Sequence, residues 1–87
     1  MKDDFIKLVS SELKIVRIEN GDLQEELSKK SRVAASTISK YEDGTYNMKL
    51  DKIEQIIKPY DMDLSIFFGR ILAKTQKNNC LHLVKNR

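Results

Sequence analysis

The chain has 87 residues and a mass of 10.1 kDa, which suits one domain with one hydrophobic core. Hydrophobic residues make up 40% and charged residues 33%, so the composition is too apolar for a disordered chain and too charged for a membrane-spanning one. The charged start of the chain is unlike a signal peptide, and a single cysteine excludes an internal disulfide. We therefore expect a cytoplasmic protein that does not bind a membrane.

The net charge of +3 is unevenly distributed along the chain. Residues 1–69 contain 11 Lys or Arg and 13 Asp or Glu, a net charge of −2. Residues 70–87 contain five Lys or Arg and no acidic residue, a net charge of +5. An argument for nucleic-acid binding must therefore depend on which surface carries the lysines and not on the total charge.

The segment from Asp4 to about Glu19 predicts a first helix, which ends at Asn20-Gly21. Its apolar residues form two stripes at helical spacing. The expected core stripe contains Phe5, Ile6, Val9, Leu13 and Val16. The second stripe contains Leu8, Ile15 and Ile18. One small core cannot cover both, so the second stripe is either scattered surface residues or a surface covered by the C-terminal segment or by a second subunit.

Two short helices with a tight turn between them are predicted next. Asp22 and Glu25 have the spacing of a capping box for helix two, which extends from about Leu23 to Ser31 and buries Leu27. Helix three extends from about Ala35 to Asp43, with Ile38 and Tyr41 facing the core. Gly44 ends helix three, and residues 45–49 form a polar loop.

The outer face of helix three carries small and hydrogen-bonding side chains. These are Ala35, Ser36, Thr37 and Lys40. Hydroxyl groups, methyl groups and an ammonium group can contact base edges in the major groove of DNA. The alternative interpretation is an ordinary solvated helix face. The loop that follows offers hydroxyl, amide and amine groups, which suit phosphate oxygens.

Helix four begins at Leu50 and buries Ile53, Ile56 and Ile57 before Pro59. Asp63 caps helix five, which reaches about Lys77 before Asn78-Asn79 interrupts it. Helix five has more apolar residues than one small domain needs, namely Leu64, Phe67, Phe68, Ile71 and Leu72. We interpret them as a dimer interface, with a deeper core as the alternative.

Residues 78–87 form a basic C-terminal extension whose structure the sequence does not determine. A strand, a covering arm and a frayed end all fit its short apolar segment. Cys80 and His82 could both bind a metal, but two ligands are too few for a site. The chain contains no glycine-rich loop of the type that binds nucleotide phosphates and no acidic cluster with metal-ligand spacing. We therefore expect no catalytic residues, no metal and no cofactor.

Residues 23–50 resemble the helix-turn-helix of the phage-repressor (Cro/XRE-type) transcription regulators. The matching pieces are Gln-Glu-Glu-Leu in helix two, Val33 in the turn, Ser-Thr-Ile-Ser-Lys and Glu-Asp-Gly in helix three, and Asn47 with Leu50-Asp51. The resemblance covers residues 13–68 and implies an all-α fold, a compact lambda-repressor-like bundle of about five helices. The short chain with Ile66-Phe67-Phe68 near its end also resembles the controller proteins of restriction-modification operons.

The resemblance also implies roles for particular residues. It implies an ion pair between Arg17 and Glu42 and a contact from Gln24 to a DNA phosphate, with an ordinary solvated glutamine as the alternative. The chemistry of the loop predicts further phosphate contacts from Thr45, Tyr46, Asn47 and Lys49, although Tyr46 could instead fold over the edge of the core. The chain departs from the family at Arg32, where glycine is usual, and at Ala34, where a capping hydroxyl is usual. We expect Arg32 to adopt a turn conformation that glycine would adopt more easily.

We therefore expect residues 1–77 to form a DNA-binding domain and residues 78–87 to extend from it. The expected function is a sequence-specific transcription regulator, of repressor type, that binds double-stranded DNA as a homodimer on a palindromic operator. The alternative function is a protein-interaction module of the same fold, such as an antitoxin, that binds a protein partner.

Overall fold

The structure is a computed structural model that describes the backbone of residues 2–45 and 47–86 and the side chains of residues 4–45 and 47–75. The elements in this part of the chain are α1 (Lys2–Glu19), α2 (Gln24–Ser31), α3 (Ala35–Asp43), α4 (Leu50–Ile57), a short 3₁₀ helix (Lys58–Tyr60) and α5 (Leu64–Asn86). The same residues contain no strand. The predicted all-α fold of five helices is confirmed.

One hydrophobic core joins the five helices. Its buried members are Val9, Leu13, Val16, Leu27, Val33, Ile38, Tyr41, Ile53, Ile56, Ile57, Phe67 and Ile71. The prediction that Phe5 belongs to this core is wrong, because Phe5 lies in the first turns of α1, at the edge of the core and not inside it. Its side chain is 52% exposed and stacks on Phe68 with the ring centroids 6.2 Å apart.

The second apolar stripe of α1 remains at the surface of the described structure. Leu8 and Ile18 are exposed and Ile15 is half-buried. Among the described residues no helix is both long enough and apolar enough to cross a membrane.

Two predicted helix boundaries need correction. The predicted capping box of α2 is not formed: the N-cap is Leu23, whose side chain cannot accept a hydrogen bond, and only its N–H is bonded, to Glu26 Oε1 at 2.7 Å. Asp22 does not cap α2, because its carboxylate accepts hydrogen bonds from Lys30 and Tyr60. Helix five does not stop at Asn78, since its backbone is helical to Asn86.

The start of α5 agrees with the prediction. The carboxylate of Asp63 accepts the Ile66 N–H at 2.9 Å, and the Asp63 C=O accepts the Phe67 N–H at 2.9 Å. The bond from the Ile66 N–H, followed by one from the Ser65 hydroxyl, holds the pKa of Asp63 below its ordinary value. Asp63 is therefore the N-cap that the sequence predicts.

A charged cluster fastens α5 to α1. Glu12 is buried, and its two carboxylate oxygens accept hydrogen bonds from Arg70 Nε at 2.7 Å and from Lys74 Nζ at 2.6 Å. Arg70 also donates to Glu19 at 2.7 Å. Because these contacts lie on one flank of α5 and the core on another, the helix has a defined rotation about its axis.

In this orientation of α5, the five apolar residues that we predicted to form a dimer interface fall into two groups, one buried in the core and one at the surface. Phe67 is 0% exposed and Ile71 is 4% exposed, so both side chains lie inside the core of one chain. Leu72 is 56% exposed, and Leu64 and Phe68 are half-buried. The deeper-core alternative therefore accounts for Phe67 and Ile71, and only the other three residues can offer surface to a partner.

Candidate nucleic-acid interface

The turn between α2 and α3 is built around Arg32. Its backbone is left-handed, with φ 62° and ψ 24°, and its N–H donates to Ser28 C=O at 2.8 Å. This is the conformation that the missing family glycine would adopt, and it costs an arginine about 1 kcal/mol or more. Val33 is buried directly after it, and its N–H donates to Ser31 Oγ at 3.2 Å. The turn is therefore tight although it contains no glycine.

Glu42 links α1, α2 and α3. Its side chain is only 3% exposed, and it accepts bonds from Arg17 Nε at 2.8 Å and Arg17 Nη2 at 2.9 Å. The expected ion pair is confirmed, and the pKa of Arg17 is raised, mainly by its hydrogen bond to Glu42. Gln24 Nε2, in the first turn of α2, also donates to Glu42, at 3.1 Å. The predicted phosphate contact at Gln24 would therefore come from a side chain that Glu42 already orients.

A second polar cluster holds the loop between α1 and α2. The Asp22 carboxylate accepts bonds from Lys30 Nζ at 2.7 Å and from the Tyr60 hydroxyl at 2.8 Å. The pKa of Asp22 is lowered, first by Lys30 and then by Tyr60. The pKa of Tyr60 is raised, first by burial and then by its bond to Asp22. Sequence reasoning missed this cluster because its members are far apart in the chain.

The outer face of α3 lies at the surface, as predicted. Ser36 and Lys40 are exposed, and Ala35 and Thr37 are half-buried. The inward residues of the helix, Ile38 and Tyr41, are buried in the core. No side chain caps the first turn, because Ala34 occupies the N-cap position. The structure thus brings the four predicted base-contacting residues onto one accessible surface, which we call the reading face.

The loop after α3 lies between two fixed ends. Gly44 ends the helix with φ 71°, and Lys49 is the residue before α4. Thr45, Asn47 and Lys49 are exposed, whereas Met48 packs against the core. We call residues 45–49 the phosphate loop, after the phosphate contacts that the sequence predicts for them. Tyr46, which the sequence predicts as a phosphate contact, lies outside the described residues, as do the side chains of Cys80 and His82.

These features define a helix-turn-helix protein: two short helices meet at a left-handed turn, an ion pair fixes them to α1, and the second helix presents a polar face. The chain belongs to the helix-turn-helix family, whose model matches residues 13–67. It is a DNA-binding transcriptional regulator and not an enzyme.

The chain is similar to solved structures of the restriction-modification controller protein C.Esp1396I. The wild-type structure has 29% sequence identity and a TM-score of 0.74, covering 83% of this chain and 94% of that one. A point mutant gives the same identity and TM-score, with 83% and 91% covered. A second point mutant has 30% identity and a TM-score of 0.72, with 80% and 93% covered. No curated protein matches the chain.

Proposed function

We propose that this protein binds a palindromic operator as a homodimer and that the reading face selects the base sequence. The observation that carries the proposal is the placement of Ser36, Thr37 and Lys40 on an accessible helix face beside an outward-facing polar loop. Hydroxyl and ammonium groups can hydrogen-bond to base edges, and the methyl groups of Ala35 and Thr37 can contact thymine. In this proposal the reading face enters the major groove.

The backbone contacts would come from two places that flank the reading face. Gln24 is held at the start of α2 by Glu42. Thr45, Asn47 and Lys49 project from the phosphate loop. Amide, hydroxyl and ammonium groups in these positions suit phosphate oxygens, and such contacts fix the orientation of a protein on DNA without reading the sequence.

The homodimer is supported by the apolar surface that remains on α5. Leu72 is exposed, Leu64 and Phe68 are half-buried, and the three side chains lie within about 80° of one another round the helix. A two-fold axis through this surface would present two reading faces in matched orientation, and two half-sites about 34 Å apart would then be read together. The likeness to controller proteins supports the same class of regulator for this chain.

The test is selection of DNA from a randomised duplex pool, followed by gel-shift titration of the selected duplex. Replacing Ser36, Thr37 and Lys40 together by alanine should weaken binding to the selected duplex at least about tenfold, because each base contact contributes roughly 1–3 kcal/mol. The matched control is Ser11→Ala with Lys14→Ala, which removes a hydroxyl and one positive charge from the exposed surface of α1. The control should bind like the wild type.

Two outcomes would contradict the proposal. If the wild type enriches no sequence from the pool, the protein is not a sequence-specific regulator. If the triple variant binds the selected duplex as tightly as the wild type, the reading face does not select bases.

A further inference from the structure

The phosphate loop is fixed at both ends by contacts to the helical core. At its first end, the backbone of Gly44 approaches α1 so closely that a Cβ atom there would lie 2.8 Å from Ser10 Oγ. At its last end, the Lys49 N–H donates to the Tyr41 hydroxyl at 3.1 Å. Tyr41 belongs to α3, so this bond joins the loop directly to the helix that carries the reading face.

The buried ring of Tyr41 holds its hydroxyl group in a well-defined position. Tyr41 is 1% exposed and packs in the core beside Ile38, on the side of α3 opposite to the reading face. The Lys49 C=O in turn accepts the N–H groups of Lys52 and Ile53, the first intrahelical bonds of α4. One residue, Lys49, is therefore bonded both to α3 through its N–H and to α4 through its C=O.

We propose that the Tyr41 hydroxyl is the positioning group of the DNA interface: it holds the phosphate loop at a fixed distance from the reading face. This inference rests on the proposed function. A phenylalanine would fill the same core space, so the packing argument alone does not explain a hydroxyl at this position. Without the hydroxyl, Lys49 would lose its bond to α3, the loop would no longer be held at the distance that suits phosphate oxygens, and its phosphate contacts would be lost or weakened.

The test compares Tyr41→Phe with Tyr60→Phe. Both variants keep a packed ring and lose a described hydroxyl hydrogen bond, but the Tyr60 hydroxyl bonds to Asp22, away from the phosphate loop. Fluorescence anisotropy should be recorded on the selected duplex and on a random-sequence duplex at several salt concentrations, below the unfolding transition of each variant.

Tyr41→Phe should weaken binding to both duplexes by the same factor, about 3- to 10-fold, as expected for the loss of one hydrogen bond. The slope of log affinity against log salt should become shallower by about one unit or less, because phosphate contacts and not base contacts are lost. Tyr60→Phe should leave affinity and slope unchanged, although it also lowers stability. A purely structural role for Tyr41 would change the stability and leave the slope unaltered.

Hydrogen exchange in the free protein gives a second measurement that needs no DNA. The Lys49 amide should exchange several-fold faster in Tyr41→Phe than in the wild type, and by a larger factor than the amide of Ile38, which reports any loss of global stability. Three results for Tyr41→Phe would overturn the inference. They are an unchanged exchange rate of the Lys49 amide, unchanged DNA affinity and salt slope, and a loss of affinity for the selected duplex but not for the random-sequence duplex. If the wild type selects no DNA sequence, the proposed function itself is overturned. If the wild type selects a sequence and Tyr41→Phe binds it with the same affinity and salt slope, only this inference is overturned.

Discussion

Two glycines, Gly21 and Gly44, have positive φ, but their surroundings differ. Gly21 has φ 73° and open space where a side chain would begin. Gly44 has φ 71°, but a Cβ atom there would lie 2.8 Å from Ser10 Oγ, whose hydroxyl donates to Ile6 C=O at 2.8 Å. Backbone conformation alone favours glycine at Gly21, and the close approach to α1 adds a second reason for glycine at Gly44.

Alanine substitutions should separate these two requirements. Gly21→Ala should destabilise the protein by about 1 kcal/mol, since the left-handed backbone costs alanine roughly that much. Gly44→Ala should cost about 1–3 kcal/mol more, because the added methyl group meets a packed side chain. Urea unfolding followed by circular dichroism gives both values.

A double variant tests the cause of the difference. Ser10→Ala removes the oxygen that the new methyl group would meet and leaves Ser10 Cβ at 3.5 Å, an ordinary contact. In the Ser10→Ala background, Gly44→Ala should therefore cost about as much as Gly21→Ala. If Gly44→Ala still costs more than Gly21→Ala in the Ser10→Ala background, the close approach to Ser10 Oγ is not the source of the extra cost.

At the scale of the helices, α5 is fixed by three separate features. Asp63 caps its start, Phe67 and Ile71 bury one side of it, and Arg70 binds Glu12 and Glu19 on α1. The pKa of Arg70 is raised, first by its bond to Glu19. The first feature depends on the charge of a carboxylate whose pKa is lowered, so the stability of α5 should depend on pH.

The pH dependence has a definite sign. A carboxylate with a lowered pKa in the folded state stabilises the fold above its ordinary pKa, and this contribution is lost as the pH falls through the lowered value. At neutral pH, Asp63→Ala should unfold at a lower temperature than the wild type, and Asp63→Asn, which keeps an acceptor but no charge, should lie between them. The difference between Asp63→Asn and the wild type should shrink towards pH 2, measured by thermal unfolding. A difference that is the same at neutral and acidic pH would exclude a role for the charge.

Much of the architecture could be predicted from the sequence because the motif signals are local. The bounds of α3 agree with the prediction, since Gly44 and the apolar spacing of Ile38 and Tyr41 determine them. The predicted capping box is absent, although Asp22 and Glu25 have the required spacing, because α2 begins one residue later, with Leu23 as its N-cap. Only the fold shows that Tyr60, 38 residues away, occupies the Asp22 carboxylate.

The candidate site was predictable to a similar extent. Periodicity identified the reading face, and the family resemblance identified the pair of Arg17 and Glu42. Periodicity could not separate core from surface on α5, because it shows that a helix is apolar but not which neighbour covers it. Tyr41 was predicted to face the core, but the bond of its hydroxyl to Lys49 depends on the path of the loop.

For the whole molecule, the decisive question is how the exposed apolar residues are covered. Leu72 on α5 and Ile18 on α1 are each 56% exposed. The proposed homodimer places the partner on α5. Phe67 cannot test this placement, since a charge at a fully buried position would unfold the chain.

Leu72→Asp should therefore produce a monomer, because a charge would be buried without a partner in the α5 surface. Sedimentation should give a mass near 10.1 kDa in place of about twice that value. Operator affinity should fall markedly, since the two half-sites would be bound independently. Ile18→Asp is the matched control and should remain dimeric. A monomer produced by Ile18→Asp and not by Leu72→Asp would move the interface to α1.

The hydrogen bonds of Glu42 have a consequence for how such proteins can diversify. Arg17 and Gln24 both bond to this carboxylate, so groups outside the reading face hold the two motif helices together. Ala35, Ser36 and Thr37 take no part in that bonding. Under the proposed function, substitutions at those outward positions should therefore change the preferred duplex while the scaffold keeps its geometry.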